Sequence, residues 1–213
     1  EEAYRRVIEI NPNFPDVRSA YALFLSIMKR PNEALEQSER AMELDPFRDL
    51  IQHWHALVSY CSRGYDDAMA QYRRVLRTAP NHTAALYGLH LVYDAMGMYD
   101  EALTTARSYF SVMGFTQAEQ ALASGYAEGG YRMAMHRLGD SLATLRNERH
   151  VPLEDIVVSY IIAGENSRAL DWLERGFEER SPSMPWLSVQ PVYDPLRDDP
   201  RFQDLLRRMN LPQ

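Results

Sequence analysis

Residues 80–114 read PNHTAALYGLHLVYDAMGMYDEALTTARSYFSVMG, two helix-length segments on either side of a tight Gly97-Met98-Tyr99 turn. Leu86, Leu89, Tyr93 and Met96 recur at three- and four-residue steps and mark one face of the first segment. Tyr99, Ala102, Ala106 and Phe110 do the same for the second. A lone hairpin of this kind leaves apolar surface uncovered, so the stretch demands similar neighbours, and the chain provides them.

Pro12, Pro46 and Pro80 stand 34 residues apart, and each closes a helix, because proline lacks an N–H and disfavours helix in the residue before it. Ala34, Ala68 and Ala102 repeat at the same 34-residue period in a second phase. A small side chain there lets two helices approach closely, where a larger one would be overpacked by ~1–3 kcal/mol. Two residue classes sharing one period define a repeat.

That repeat resembles the tetratricopeptide family, whose period is about 34 residues. In the first complete unit Ala22, Ala34, Ala41 and Pro46 fall at the family's small and closing positions. In the second, Ala56, Ala68, Tyr72 and Pro80 do so, with Gly64-Tyr65-Asp66-Asp67 as the turn. Leu89, Tyr93, Gly97, Tyr99 and Ala102 match in the third. Arg18, His90 and Tyr109 depart from it, the first where the family often has tryptophan and the other two where it has small residues.

Beyond Gly114 the pattern loosens. A fourth unit is expected with a first helix over about Thr116–Tyr126, a turn at Glu128-Gly129-Gly130-Tyr131, Ala134 at the small position and a second helix reaching about Glu148. A fifth starts at Pro152, a favourable first helical position, with Ala169 at the small position. From Ser181 onward the chain holds six of its twelve prolines, which excludes regular helix until Asp198-Asp199-Pro200 opens a last short one. Arrays of repeats need caps. Pro185-Trp186-Leu187 with Phe202, Leu205 and Leu206 should supply the inner face, Trp186 acting as a plug, and Arg197, Arg201, Arg207 and Arg208 the outer one. Residues 169–175 (ALDWLER), Trp186-Leu187, Tyr193-Asp194-Pro195-Leu196-Arg197 and Asp199-Pro200-Arg201-Phe202 together resemble the C-terminal region of bacterial multidomain signalling proteins. There a tetratricopeptide array follows a serine/threonine kinase, winged-helix or cyclase domain. The opening segment, residues 1–11, reads as a lone helix and as the second half of a hairpin, as expected for a C-terminal piece of a longer protein.

Composition narrows the chemistry. With 46% hydrophobic residues, 30 acids against 23 bases and a net charge of −7 over 213 residues, the chain can bury a core, and its charge balance argues against nucleic-acid binding, which needs a basic face. Apolar runs fall far short of the ~18 residues of a membrane span. Cys61 is the single cysteine, so no internal disulfide forms. There is no glycine-rich phosphate loop, nucleophile elbow or paired-cysteine motif. His53 and His55 lie two apart on one helix and point in different directions, which suits packing better than a shared metal. No catalytic residues, metal ligands or cofactor are expected.

The fold expected is all-α: a right-handed superhelix of about four and a half antiparallel helix pairs (about 15–46, 47–80, 81–114, 115–149 and 150–180, after the lone helix) with a cap over 181–213. The resemblance places Leu23, Ile27, His53, Leu57, Tyr60, Tyr87, Leu91, Asp94, Glu119 and Tyr126 on or near a concave groove. That set is apolar and aromatic with a little acid, so a protein or peptide partner with apolar anchors and a basic residue is expected, with neither nucleic acid nor membrane insertion. Two alternatives stay open: self-association through the N-terminal half-hairpin, and a small-ligand pocket between the fourth unit and the cap. Compartment stays open too, cytoplasmic being favoured and periplasmic following if the full-length protein has a membrane anchor.

Overall fold

The structure is a computed structural model that describes residues 1–212. Among these residues every regular element is helical, in agreement with the expected all-α class. The chain divides into two compact units, Glu1–Met98 and Tyr99 onward.

The first unit holds α1 (Glu2–Ile10), α2 (Pro15–Ile27), α3 (Pro31–Leu44), α4 (Asp49–Cys61), α5 (Tyr65–Thr78) and α6 (Thr83–Ala95). Pro15 and Pro31 begin their helices, where the missing N–H costs nothing. Helices α2 and α3 form one hairpin, α4 and α5 another, and α2 packs on α4 as α4 does on α6. Ala22, Ala34, Ala56 and Ala68 are fully buried, as the spacing argument requires. The hairpin turns share one geometry. Lys29 (φ 57), Arg63 (φ 64) and Gly97 (φ 72) are left-handed at 34-residue intervals. After each, the next amide donates back to a carbonyl five residues earlier: Arg30 to Leu25, Gly64 to Ser59 and Met98 to Tyr93. Only the third uses glycine. Helix α1 is fastened through Glu1, whose carboxylate accepts from Arg5, from the Tyr21 hydroxyl (3.0 Å) and from Arg30 (2.8 Å). Tyr4 stacks on Tyr21 at 5.5 Å between ring centres. Arg18, the departure from family pattern, is a clamp. It donates to the Pro12 carbonyl (2.9 Å) and to Gln37 (2.7 Å), tying the entry of α2 to α3.

The second unit holds α7 (Tyr99–Val112), α8 (Thr116–Leu145), α9 (Leu153–Ala163), α10 (Asn166–Glu178) and α11 (Pro200–Arg208), with 3-10 segments at Met184–Ser188 and Pro191–Leu196. Helix α8 is two arms, 116–128 and 131–145, broken at Gly129 and Gly130. Gly130, at φ 74 and ψ −161, occupies a region open essentially to glycine alone, and the chain reverses there without a loop. The arms then lie so close that a Cβ on Gly125 would come within 2.7 Å of the Ala134 Cα.

Several local expectations need correction. The first arm runs past Tyr126 to 128, and the second ends at Leu145 rather than Glu148. The amides of Asn147 and Glu148 donate to Thr144 and Leu145, which tightens the last turn out of α-geometry. Pro152 precedes α9 in extended conformation (ψ 132), so Leu153 opens the helix. In the C-terminal segment Trp186 is only half-buried, and Met184, Leu187, Tyr193, Leu196 and Phe202 fill the interior instead. Arg197 is not on the outer surface. Half-buried, it donates to Asp194 (2.6 Å) and to the carbonyls of Ser188 (3.0 Å) and Gln190 (3.3 Å), closing the two 3-10 segments on each other. The last helix is as expected: the Asp199 side chain accepts from the Arg201 amide (2.8 Å), and Phe202, Leu205 and Leu206 are buried.

Candidate partner-binding face

In the first unit, α2, α4 and α6 form a row, so their outward residues share one face. On these helices Leu23, Ile27, His53, Leu57, Tyr87 and Asp94 are half-buried. Tyr60 and Leu91, at 1% and 2% exposure, are core residues rather than surface ones. In the second unit Glu119 is half-buried on the first arm of α8. Two turns on, Tyr126 is exposed, with its hydroxyl donating to Asp100 at 2.7 Å.

The His53 Nδ1 is buried without a hydrogen-bond partner. The His53 ring lies 5.8 Å from Tyr72 and 5.6 Å from His82, between ring centres. Burial, helped by the neighbouring His82, pulls its pKa down to about 4, so the imidazole is neutral at pH 7. His82 accepts from the Ala85 amide (3.1 Å) and caps α6. His55 faces the other way: Nδ1 meets the Ser38 hydroxyl at 3.0 Å, and Nε2 is 3.2 Å from Asp67, which also accepts from Ser59 at 2.6 Å. The two histidines diverge as their spacing implies. Cys61 is buried, and burial pushes its thiol up to about 12, which leaves it protonated and unreactive at neutral pH.

Among the described residues no group of three or more His, Cys, Asp or Glu is arranged to hold a metal ion, and no helix is long and apolar enough to cross a membrane. The described residues include two open clefts of mixed polarity. One of about 370 Å³ runs between the arms of α8, and one of about 330 Å³ lies among α1, α2 and α3.

Sequence reasoning missed a further polar contact. Asp155, 3% exposed, lies in the first turn of α9. The hydroxyl of Tyr109 on α7, also buried, donates to its Oδ2 at 3.1 Å. Burial raises the carboxyl pKa well above its ordinary value, the charge of Glu154 adds to this, and the bond from Tyr109 opposes it. The signal was present: Tyr109 departs from the repeat pattern, and Asp155 precedes the apolar run Ile156-Val157-Val158.

Comparison with known proteins agrees with this architecture. The family description of the tetratricopeptide repeat matches residues 3–36. Anaphase-promoting complex subunit 3 of Schizosaccharomyces pombe is 27% identical over 95 residues, which is 45% of this chain and 14% of that protein. A tetratricopeptide repeat protein from Parabacteroides merdae superposes with a TM-score of 0.54 at 16% identity, covering 98% of this chain and 84% of that one. Pseudomonas aeruginosa pilF gives 0.51 at 17% identity, covering 96% and 86%. Residues 3–36 thus match the tetratricopeptide repeat, and the helical fold of the chain is similar to that of the solved tetratricopeptide repeat protein.

Proposed function

We propose that the chain is a non-catalytic interaction module that binds an amphipathic helix or extended segment of a protein partner across the α2–α4–α6 row. What supports this reading is that Leu23, Leu57 and Tyr87 are half-buried on three helices that pack in a row. Side chains in that state retain apolar area that a partner can cover, at about 25 cal/mol per Å² before the costs of association. Asp94 on the same row favours a basic residue beside the partner's apolar anchors. Following the resemblance of its tail, the module would serve a larger bacterial signalling protein, holding either a separate partner or that protein's own effector domain.

Selection from a displayed peptide library against the whole chain tests the reading. Ligands with spaced apolar anchors are expected, and Leu23→Asp and Leu57→Asp should each weaken them at least tenfold with helicity unchanged. A selection that returns only acidic, carboxyl-terminal peptides, or binding indifferent to both substitutions, would refute it.

A second reading rests on α1, which exposes Val7 (37%) and Ile10 (71%). Self-association through this face predicts a mass that rises with concentration in light scattering and falls back with Ile10→Glu. A constant monomer removes it.

A further inference from the structure

We propose that the Tyr109–Asp155 contact is a proton-operated latch within the second unit. With the Asp155 carboxyl protonated, α7 and α9 are held together, and its ionisation releases them.

The geometry is that of a contact with two states. Asp155 and Tyr109 are 46 residues apart on different helices, and both are buried. A neutral carboxyl accepting one hydroxyl hydrogen bond is tolerable in such a place, whereas a carboxylate needs a cation or several donors. Among the described residues no arginine, lysine or histidine bonds to Asp155. The charged groups of the surrounding elements are committed elsewhere or repel it: at the same end of α9, Arg146 donates to the Val151 carbonyl and pairs with Glu179, and Arg149 lies over the Phe115 ring at 4.3 Å. On its own helix stands Glu154, of like charge. On α8, His136 and Asp140 meet Glu165 and Tyr160 near the far end of α9. Arg168 of α10 is paired with Asp140 (2.5 Å) and Glu165 (2.8 Å). In the second 3-10 segment, Tyr193 is buried and Asp194 is paired with Arg197.

Ionisation passes the Asp155 proton to water. Tyr109 keeps its own, because burial and the neighbouring carboxylate hold its pKa up. The resulting buried anion is relieved by letting water reach it, which means moving the first turn of α9 away from the Tyr109 side chain and loosening its packing on α8 and α10.

The sign follows from linkage. The folded pKa lies above the unfolded one, so the stabilisation is complete at pH below the unfolded carboxyl value and is lost as pH rises through the folded value. The unit should therefore loosen as solution becomes more alkaline. While only the closed form keeps the proton, its opening constant should rise by up to about tenfold per pH unit.

Amide hydrogen exchange of the whole chain at pH 5, 6.5 and 8, normalised for chemical exchange rates, tests this. Opening of residues 99–112 and 153–163 should increase with pH in the parent protein. It should be flat in Asp155→Asn, which keeps the acceptor and cannot ionise. Glu154→Gln, which removes a like charge and leaves the latch in place, should move the plateau to lower pH. An unchanged pH dependence in Asp155→Asn, or none in the parent, would overturn the proposal. Should Asp155→Asn fail to fold, a plateau unmoved by Glu154→Gln would do the same.

Discussion

Gly125→Ala sets two physical effects of opposite sign against each other. Alanine is better than glycine in a helix by about 1 kcal/mol, so an isolated arm would gain from the change. In the folded unit the new Cβ would sit 2.6 Å from the Met133 carbonyl oxygen, 2.7 Å from the Ala134 Cα and 2.9 Å from its nitrogen. These are backbone atoms of the facing arm, so no rotamer change relieves the clash. The arms must separate by roughly 1 Å, which loosens the packing around Ala118, Leu122, Ala134 and Leu138, all essentially inaccessible to solvent. Overpacking of this type costs about 1–3 kcal/mol, and contact with backbone argues for the upper part of that range. The net expectation is a loss of ~1–2 kcal/mol, a fall of roughly 4–8 °C in the melting temperature of the second unit. Trp172 and Trp186 belong to that unit and Trp54 to the first, so fluorescence melting in a Trp54→Phe background reads the second alone. Melting that is unchanged or raised would show that the arms are not in contact at Gly125, and the close-packed reversal at Gly130 would fall with it.

Three further perturbations follow from the packing. His53 has a folded pKa near 4 against an unfolded value near 6.5, so the first unit should lose stability as pH falls between those values, by up to about 1.4 kcal/mol per unit. Urea unfolding followed by Trp54, with Trp172 and Trp186 replaced by phenylalanine, should show that slope, and His53→Phe should flatten it. Leu187→Ala should cost ~2–5 kcal/mol, because the side chain is fully buried, and Trp186→Ala distinctly less, because the indole is half-exposed. Calorimetry that ranks the two the other way would restore the tryptophan as the plug. Arg180→Gly should stabilise by up to about 1 kcal/mol, since a non-glycine residue at φ 56 carries strain that glycine lacks. A lower midpoint in urea would mean that the arginine's contacts outweigh its strain.

The repeat was legible because its determinants are local and periodic. Alanines 34 residues apart mark helix crossings, and prolines mark helix ends, whatever the partner helix is. The left-handed turns were only half legible. Gly97 announces one, whereas Lys29 and Arg63 adopt the same backbone without any compositional sign, forced by the hairpins around them. The C-terminal segment was misjudged at Trp186 and Arg197 for a related reason. Size suggested a plug and charge suggested an outer face, but the route of two 3-10 segments decides burial there, and nothing periodic encodes it. The binding face shows the same boundary. Helical phase puts Tyr60 with His53 and Leu57, and Leu91 with Tyr87, yet Tyr60 and Leu91 are core residues, a tertiary effect invisible to spacing.

The equivalence of the hairpin turns has a bearing on length. Lys29, Arg63 and Gly97 impose one backbone geometry at one interval, and Pro46 and Pro80 end their units in the same phase. Residues 47–80 can thus be viewed as a removable or duplicable segment. Excising them would bring the end of α3 to the start of α6 with the alanine column still in step. In such a chain the number of hairpins becomes a variable independent of the fold, and the size of the face offered to a partner could be changed in increments of one unit.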